Sequence, residues 1–134
     1  MDISIFDNYN VSVDDLKEFL YDCCEEFSDT YKYFVEDDLN ADHIYPDFIE
    51  TEIYVDSREE TINFDSKVNV YGYCKYYIDD NEDSFIDVIL QNIPLWKAVF
   101  LMNQSVLTRD YPDSKYKISN HEFNEFLNTY FGKK

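Results

Sequence analysis

Carboxylates dominate the side chains of this sequence that could do chemistry, and their spacing is regular. Asp14, Glu18, Asp22, Glu25 and Asp29 step by four, four, three and four residues, with Glu26 beside them. On an α-helix that spacing forms one stripe, with about 6 Å of rise per four residues. Glu50, Glu52 and Asp56 fall at alternate positions with Tyr54 between them, which on a strand makes a row spaced by roughly 6.6 Å. These separations are comparable with successive phosphates along one nucleic-acid strand. A protein that grips phosphates with Arg and Lys would meet carboxylates at usable intervals and release counterions, as it does on DNA. The chemistry on offer is therefore ionic recognition.

The helical stripe works against its own helix. Four i,i+4 pairs, Asp14–Glu18, Glu18–Asp22, Asp22–Glu26 and Glu25–Asp29, carry like charges, and each such pair destabilises a helix by roughly 0.2–0.5 kcal/mol. Lys17 is the one base among them. Negative charge near a helix N-terminus is favourable, which accounts for Asp14 and Asp15 but not for Asp22 to Asp29.

Other chemistries find no motif. Asp79-Asp80-Asn81-Glu82-Asp83 resembles the opening of a calcium loop, but its sixth position is Ser84 and its twelfth Leu90, where such a loop needs Gly and a bidentate Glu. His43 and His121 lie in no ligand spacing, and Asp42-His43 has no nucleophile motif beside it. Gly72 and Gly132 are the only glycines, so a Gly-rich phosphate loop is excluded. Cys23, Cys24 and Cys74 are odd in number, without metal spacing, and read as reduced, semi-buried residues. No catalytic residue, metal or cofactor is expected, and the chain is not expected to be an enzyme.

The 134 residues carry 29 acids against 11 bases, a net charge of −18. Residues 1–90 hold 25 acids and five bases, whereas residues 91–134 hold four acids and six bases. The acidity thus belongs to the first two-thirds. Hydrophobic residues make up 45% and aromatics 19%, enough for a core, so an acidic disordered tail is excluded. Lys115, Lys117, Lys133 and Lys134 are too few and scattered for direct nucleic-acid binding. No basic, apolar leader opens the chain and no run approaches the roughly 20 apolar residues of a membrane span, so a cytoplasmic protein without membrane contact is expected.

The elements that must position these rows follow from periodicity. Ser12, with Asp15 three residues on, caps a helix over 12–28, buried through Val13, Leu16, Leu20, Cys23, Cys24 and Phe27. Tyr31, Phe34 and Val35 either continue it over 30–39 or form a second short helix. Residues 48–56 alternate as a strand, with Ile49, Thr51, Ile53 and Val55 on one face and Glu50, Glu52, Tyr54 and Asp56 on the other. Residues 57–60 are a turn; 61–65 and 67–78 read as one bent strand or two, with Val68, Val70, Gly72 and Cys74 inward and Asn69, Tyr71, Tyr73, Lys75 and Tyr77 outward. After an acidic turn at 79–83, residues 85–91 read as a central strand buried on both faces, in preference to a helix. Pro94 opens a buried helix through Met102 in its first turn. Residues 104–118 are a loop. Ser119 and Glu122 cap a last helix that Gly132 ends. The whole is one α+β domain over 1–134: an N-terminal helix, an antiparallel three- to four-stranded meander, and two C-terminal helices packed on one sheet face.

Function is expected of the acidic rows. The chain reads as an inhibitor that binds a basic nucleic-acid-handling protein, such as a nuclease, by phosphate mimicry. Small, acidic, motif-free proteins of the phage anti-CRISPR or anti-restriction kind and nuclease-toxin immunity proteins are similar in size and charge, without any aligned segment. The expected contact residues are Asp14, Glu18, Asp22, Glu25, Glu26, Asp29, Glu50, Glu52, Tyr54, Asp56, Tyr71 and Tyr73, the tyrosines because their rings suit protein interfaces. The alternative is a structural or adaptor module that forms a homodimer through its nearly neutral, apolar C-terminal third.

Overall fold

In the computed structural model, residues 2–39, 49–104 and 117–134 are described. The expected strand residue 48, His43 and most of the expected 104–118 loop lie outside them.

Helix α1 runs unbroken over Val13–Asp38. Ser12 accepts a hydrogen bond from the Asp15 backbone N–H at 3.1 Å, and the Asp15 carboxylate accepts one from the Ser12 N–H at 2.8 Å, a reciprocal capping box. The open question at 30–39 resolves as continuation because no Gly or Pro interrupts the stretch and Tyr31 and Val35 extend the buried side one turn at a time beyond Phe27. Twenty-six residues give a rod of about 39 Å.

Three antiparallel strands follow: β1 (Glu50–Asp56), β2 (Lys67–Ile78) and β3 (Asn81–Pro94), with β2 central. The inward and outward sides of β1 and β2 are those expected; Val68, Val70, Gly72 and Cys74 are buried. Residues 61–65 are not a strand. They lie in a loop whose Ser66 and Phe64 carbonyls accept the backbone N–H groups of Leu95 and Trp96 at 2.7 and 3.0 Å. The loop thereby satisfies the first donors of the next helix. The hairpin between β2 and β3 closes on Asp79 and Asp80, with Asp79 at φ +53°, a conformation Asp tolerates.

β3 corrects the expectation of a strand covered on both faces. It extends three to four residues further at each end than 85–91 and lies at the edge of the sheet among the described residues. Ile86 and Val88 pair with the outward Tyr73 and Tyr71 and stand on the face that the helical layer leaves open, 58% and 44% exposed. A register shift opposite Val68–Tyr71, with Asn92 at φ +53°, lets consecutive Ile89 and Leu90 both be buried.

Pro94 ends β3 and stands just before helix α2 (Leu95–Asn103), one position earlier than expected. Ala98, Val99, Phe100, Leu101 and Met102 are buried, while Trp96 is half-buried. Helix α3 (Asn120–Tyr130) is capped by Ser119, which accepts from the Glu122 N–H at 3.1 Å. It ends as expected at Gly132, whose φ is +77° and whose N–H reaches the Leu127 carbonyl.

The helical layer covers the inner sheet face. Tyr31 of α1 packs against Gly72 of β2, where an added Cβ would clash with the tyrosine ring and hydroxyl. Only glycine allows that approach. The Tyr31 hydroxyl then donates to the Asp87 carboxylate of β3 at 2.6 Å, so one side chain pins α1 across two strands. Phe123 of α3 contacts the rings of Phe6, Trp96, Phe100 and Phe126, joining α3 to α2 and to the chain's start. That start, a 3₁₀ turn at Ile3–Asn8, was not signalled by the sequence. It stacks Phe6 on Phe64 at 4.1 Å, and Tyr9 bridges to Lys133.

Candidate protein-binding surfaces

The buried side of α1 determines where its acids go. Leu16, Leu20, Cys23, Cys24, Phe27, Tyr31 and Val35 face the core, and a helix carries its remaining positions on the opposite side. Asp14, Glu18, Asp22, Glu25, Glu26 and Asp29 are all exposed there. Among the described residues none of the six has an ion-pair partner. The stripe carries two aromatic neighbours that the sequence reading missed, Tyr21 and Tyr33, at 54% and 66% exposure. Tyr21 is one turn from Glu18 and Glu25, and Tyr33 one turn from Asp29. The signal was available, since both fall outside the buried periodicity.

Behind the stripe the thiols are inert. Burial, with smaller contributions from Cys24, Glu26 and Asp22, pushes the Cys23 thiol up to about 12. Burial raises Cys24 to about 12 and, helped by Asp87, Cys74 to about 11. A thiol so raised presents no thiolate near neutrality.

The second row sits on the outer sheet face, ordered by strand register. Glu50 stands opposite Lys75, Glu52 opposite Tyr73, Tyr54 opposite Tyr71 and Asp56 opposite Asn69. On the far side of β2, Tyr73 meets Ile86, Tyr71 meets Val88 and Tyr77 meets Glu82. The Tyr54 and Tyr71 rings pack with centroids 5.2 Å apart. The result is a tyrosine, isoleucine and valine centre with a carboxylate margin along β1. Ile86 and Val88 are its unforeseen members, because β3 was expected to be covered on both sides.

The two rows do not merge. The α1 stripe points away from the core on the helical side, and the Glu50–Asp56 row points away from it on the sheet side, with the buried layer between. All twelve expected contact residues are exposed or half-buried; six lie on α1 and six on the sheet, and the two sets come near each other where Asp56 borders a hollow with Lys17 and Tyr21. Nor does the basic tail neutralise either one: Lys133 and Lys134 border an open hollow with Asp7, Tyr9 and Asn124, and no ion pair links them to either row among the described residues.

The acidic turn is occupied by local bonds. Glu82 pairs with Lys75 at 2.8 Å, and Asp83 accepts from the Ser84 N–H and, at 3.3 Å, from the Tyr76 hydroxyl. Among the described residues no three His, Cys, Asp or Glu side chains converge to hold a metal, and no helix is long and apolar enough to cross a membrane. His121 faces Glu125 at 3.1 Å on the exposed side of α3.

No protein-family model, curated protein or solved structure matches the chain.

Proposed function

We propose that the protein is a non-enzymatic inhibitor that binds a basic nucleic-acid-handling protein in the cytoplasm through the carboxylate stripe of α1, standing in for a nucleic-acid backbone. The observation that carries this reading is the linear density of unpaired charge. The stripe's six exposed carboxylates, Asp15 of the capping box not counted, occupy about 22 Å of helix from Asp14 to Asp29, at 1.5 Å per residue. That is one charge per roughly 4 Å, close to the 3.4 Å per phosphate of one DNA strand. A partner built to hold a phosphate row would find its cations matched along the helix. Tyr21 and Tyr33 add ring surface at the stripe's flanks, which suits a protein contact.

The alternative, oligomerisation through the C-terminal third, has little exposed apolar surface to use among the described residues. Phe100 is 4% exposed and packs on Phe123 and Phe126.

The test is capture from native cells. Immobilised wild-type protein should retain a basic protein that duplex DNA releases and that a D22K/E25K variant fails to hold. Retention that DNA does not compete, or that the variant preserves, would rule out mimicry by this helix.

A further inference from the structure

We propose that the outer sheet face is a second docking surface, whose occupant is a protein segment presenting arginines beside aliphatic side chains. The face already shows how it takes a cation. The Lys75 ammonium sits 2.8 Å from the Glu82 carboxylate and 5.8 Å from the centre of the Tyr77 ring, so one positive group is held between a tyrosine and an acid. The neighbouring positions repeat that pairing of ring and acid, with Arg58 and Lys67 bordering Tyr71 and Asn69 at one end. Glu52 stands opposite Tyr73, and Tyr54 opposite Tyr71 beside Asp56. Among the described residues no base of this chain pairs with Glu50, Glu52 or Asp56.

Two arguments name the occupant. A guanidinium is planar and weakly hydrated, so it lies on a tyrosine ring while forking to a carboxylate; an ammonium does this less well. On the other side of the same tyrosines, Ile86 and Val88 are 58% and 44% exposed. They offer apolar surface that a purely charged partner would leave wet. A second copy of the chain is a poor occupant, since each carries −18 and the lysine beside the tyrosine centre, Lys75, is already paired, which leaves Arg58 and Lys67 at one end of the face. The surface is built from sheet residues and shares none of the α1 carboxylates, although Asp56 borders a hollow with Tyr21, so it does not rest on the function proposed above.

The probe is a synthetic peptide alternating arginine and valine, titrated into ¹⁵N-labelled protein at low salt. Amide shifts should centre on Glu52, Tyr54, Tyr71, Tyr73, Ile86 and Val88. The E52K/D56K variant should bind roughly tenfold more weakly, the loss of one good ionic contact. D22K/E25K, altered on the opposite face, should stay within about threefold of wild type. A lysine–valine peptide should bind several-fold more weakly than the arginine one. Shifts centred on α1 or spread evenly over both faces, equal affinity for a glutamate–valine peptide, or an unaffected E52K/D56K variant would overturn the proposal. So would a sedimenting dimer that I86E/V88E converts to monomer, because the face would then belong to a second copy.

Discussion

Reversing Asp22 and Glu25 to lysine should make the protein more stable while removing its binding. The two substitutions eliminate three like-charge i,i+4 pairs, Glu18–Asp22, Asp22–Glu26 and Glu25–Asp29, and replace each by an attractive pair. A single pair moves from roughly 0.2–0.5 kcal/mol against the helix to a similar amount in its favour. Three pairs therefore contribute about 1–3 kcal/mol at low ionic strength. Both side chains are exposed, so no packing is lost. Unfolding entropy of about 2.1 cal/mol/K per residue over 134 residues converts this gain to a Tm rise of about 4–10 °C. Circular dichroism melts at 20 mM and 1 M NaCl provide the assay. The gain should shrink in 1 M salt, where the Debye length is about 3 Å. An unchanged or lower Tm at 20 mM would refute the reasoning, since the carboxylates would then hold local partners and not stand as a surplus of negative charge.

The wild-type protein should itself melt higher as NaCl is added, because screening relieves self-repulsion in a chain of charge −18; a Tm that falls with salt would contradict this. Gly72→Ala should cost about 1–3 kcal/mol in urea unfolding, because the new methyl would overlap the Tyr31 ring, and a neutral result would mean the ring moves freely. Stability should decline as pH rises. The three thiols are raised to about 12, 12 and 11 in the fold against about 8.5 when unfolded. The unfolded chain therefore sheds protons that the folded chain still holds. Stability is full below about pH 8.5 and lost progressively above it. Urea midpoints at pH 8, 9.5 and 10.5 should fall in order, and less steeply in a C23A/C24A variant.

Much of this fold was legible because local patterns and tertiary demands agreed. Ser12 and Ser119 cap the helices expected of them, and β1 and β2 expose the expected faces. Two readings failed for a shared reason. An apolar run cannot show whether a strand is covered on one side or two, so residues 85–91 read as core although Ile86 and Val88 face outward. Residues 61–65 look like a strand by composition, but the chain needs them as acceptors for the first donors of α2. The stripe on α1 was readable from spacing alone. The alternation of β1 likewise puts Glu50, Glu52 and Asp56 on the sheet face turned away from the core.

The most direct test is the salt dependence of affinity for the captured basic partner. Log affinity should fall linearly with log salt for wild type, with a slope of about −4 to −5 if most of the six stripe carboxylates stand in for phosphates. The slope for the milder Asp22→Asn variant should be shallower by about one unit. A flat dependence shared by both proteins would contradict an inhibitor that works through the α1 stripe.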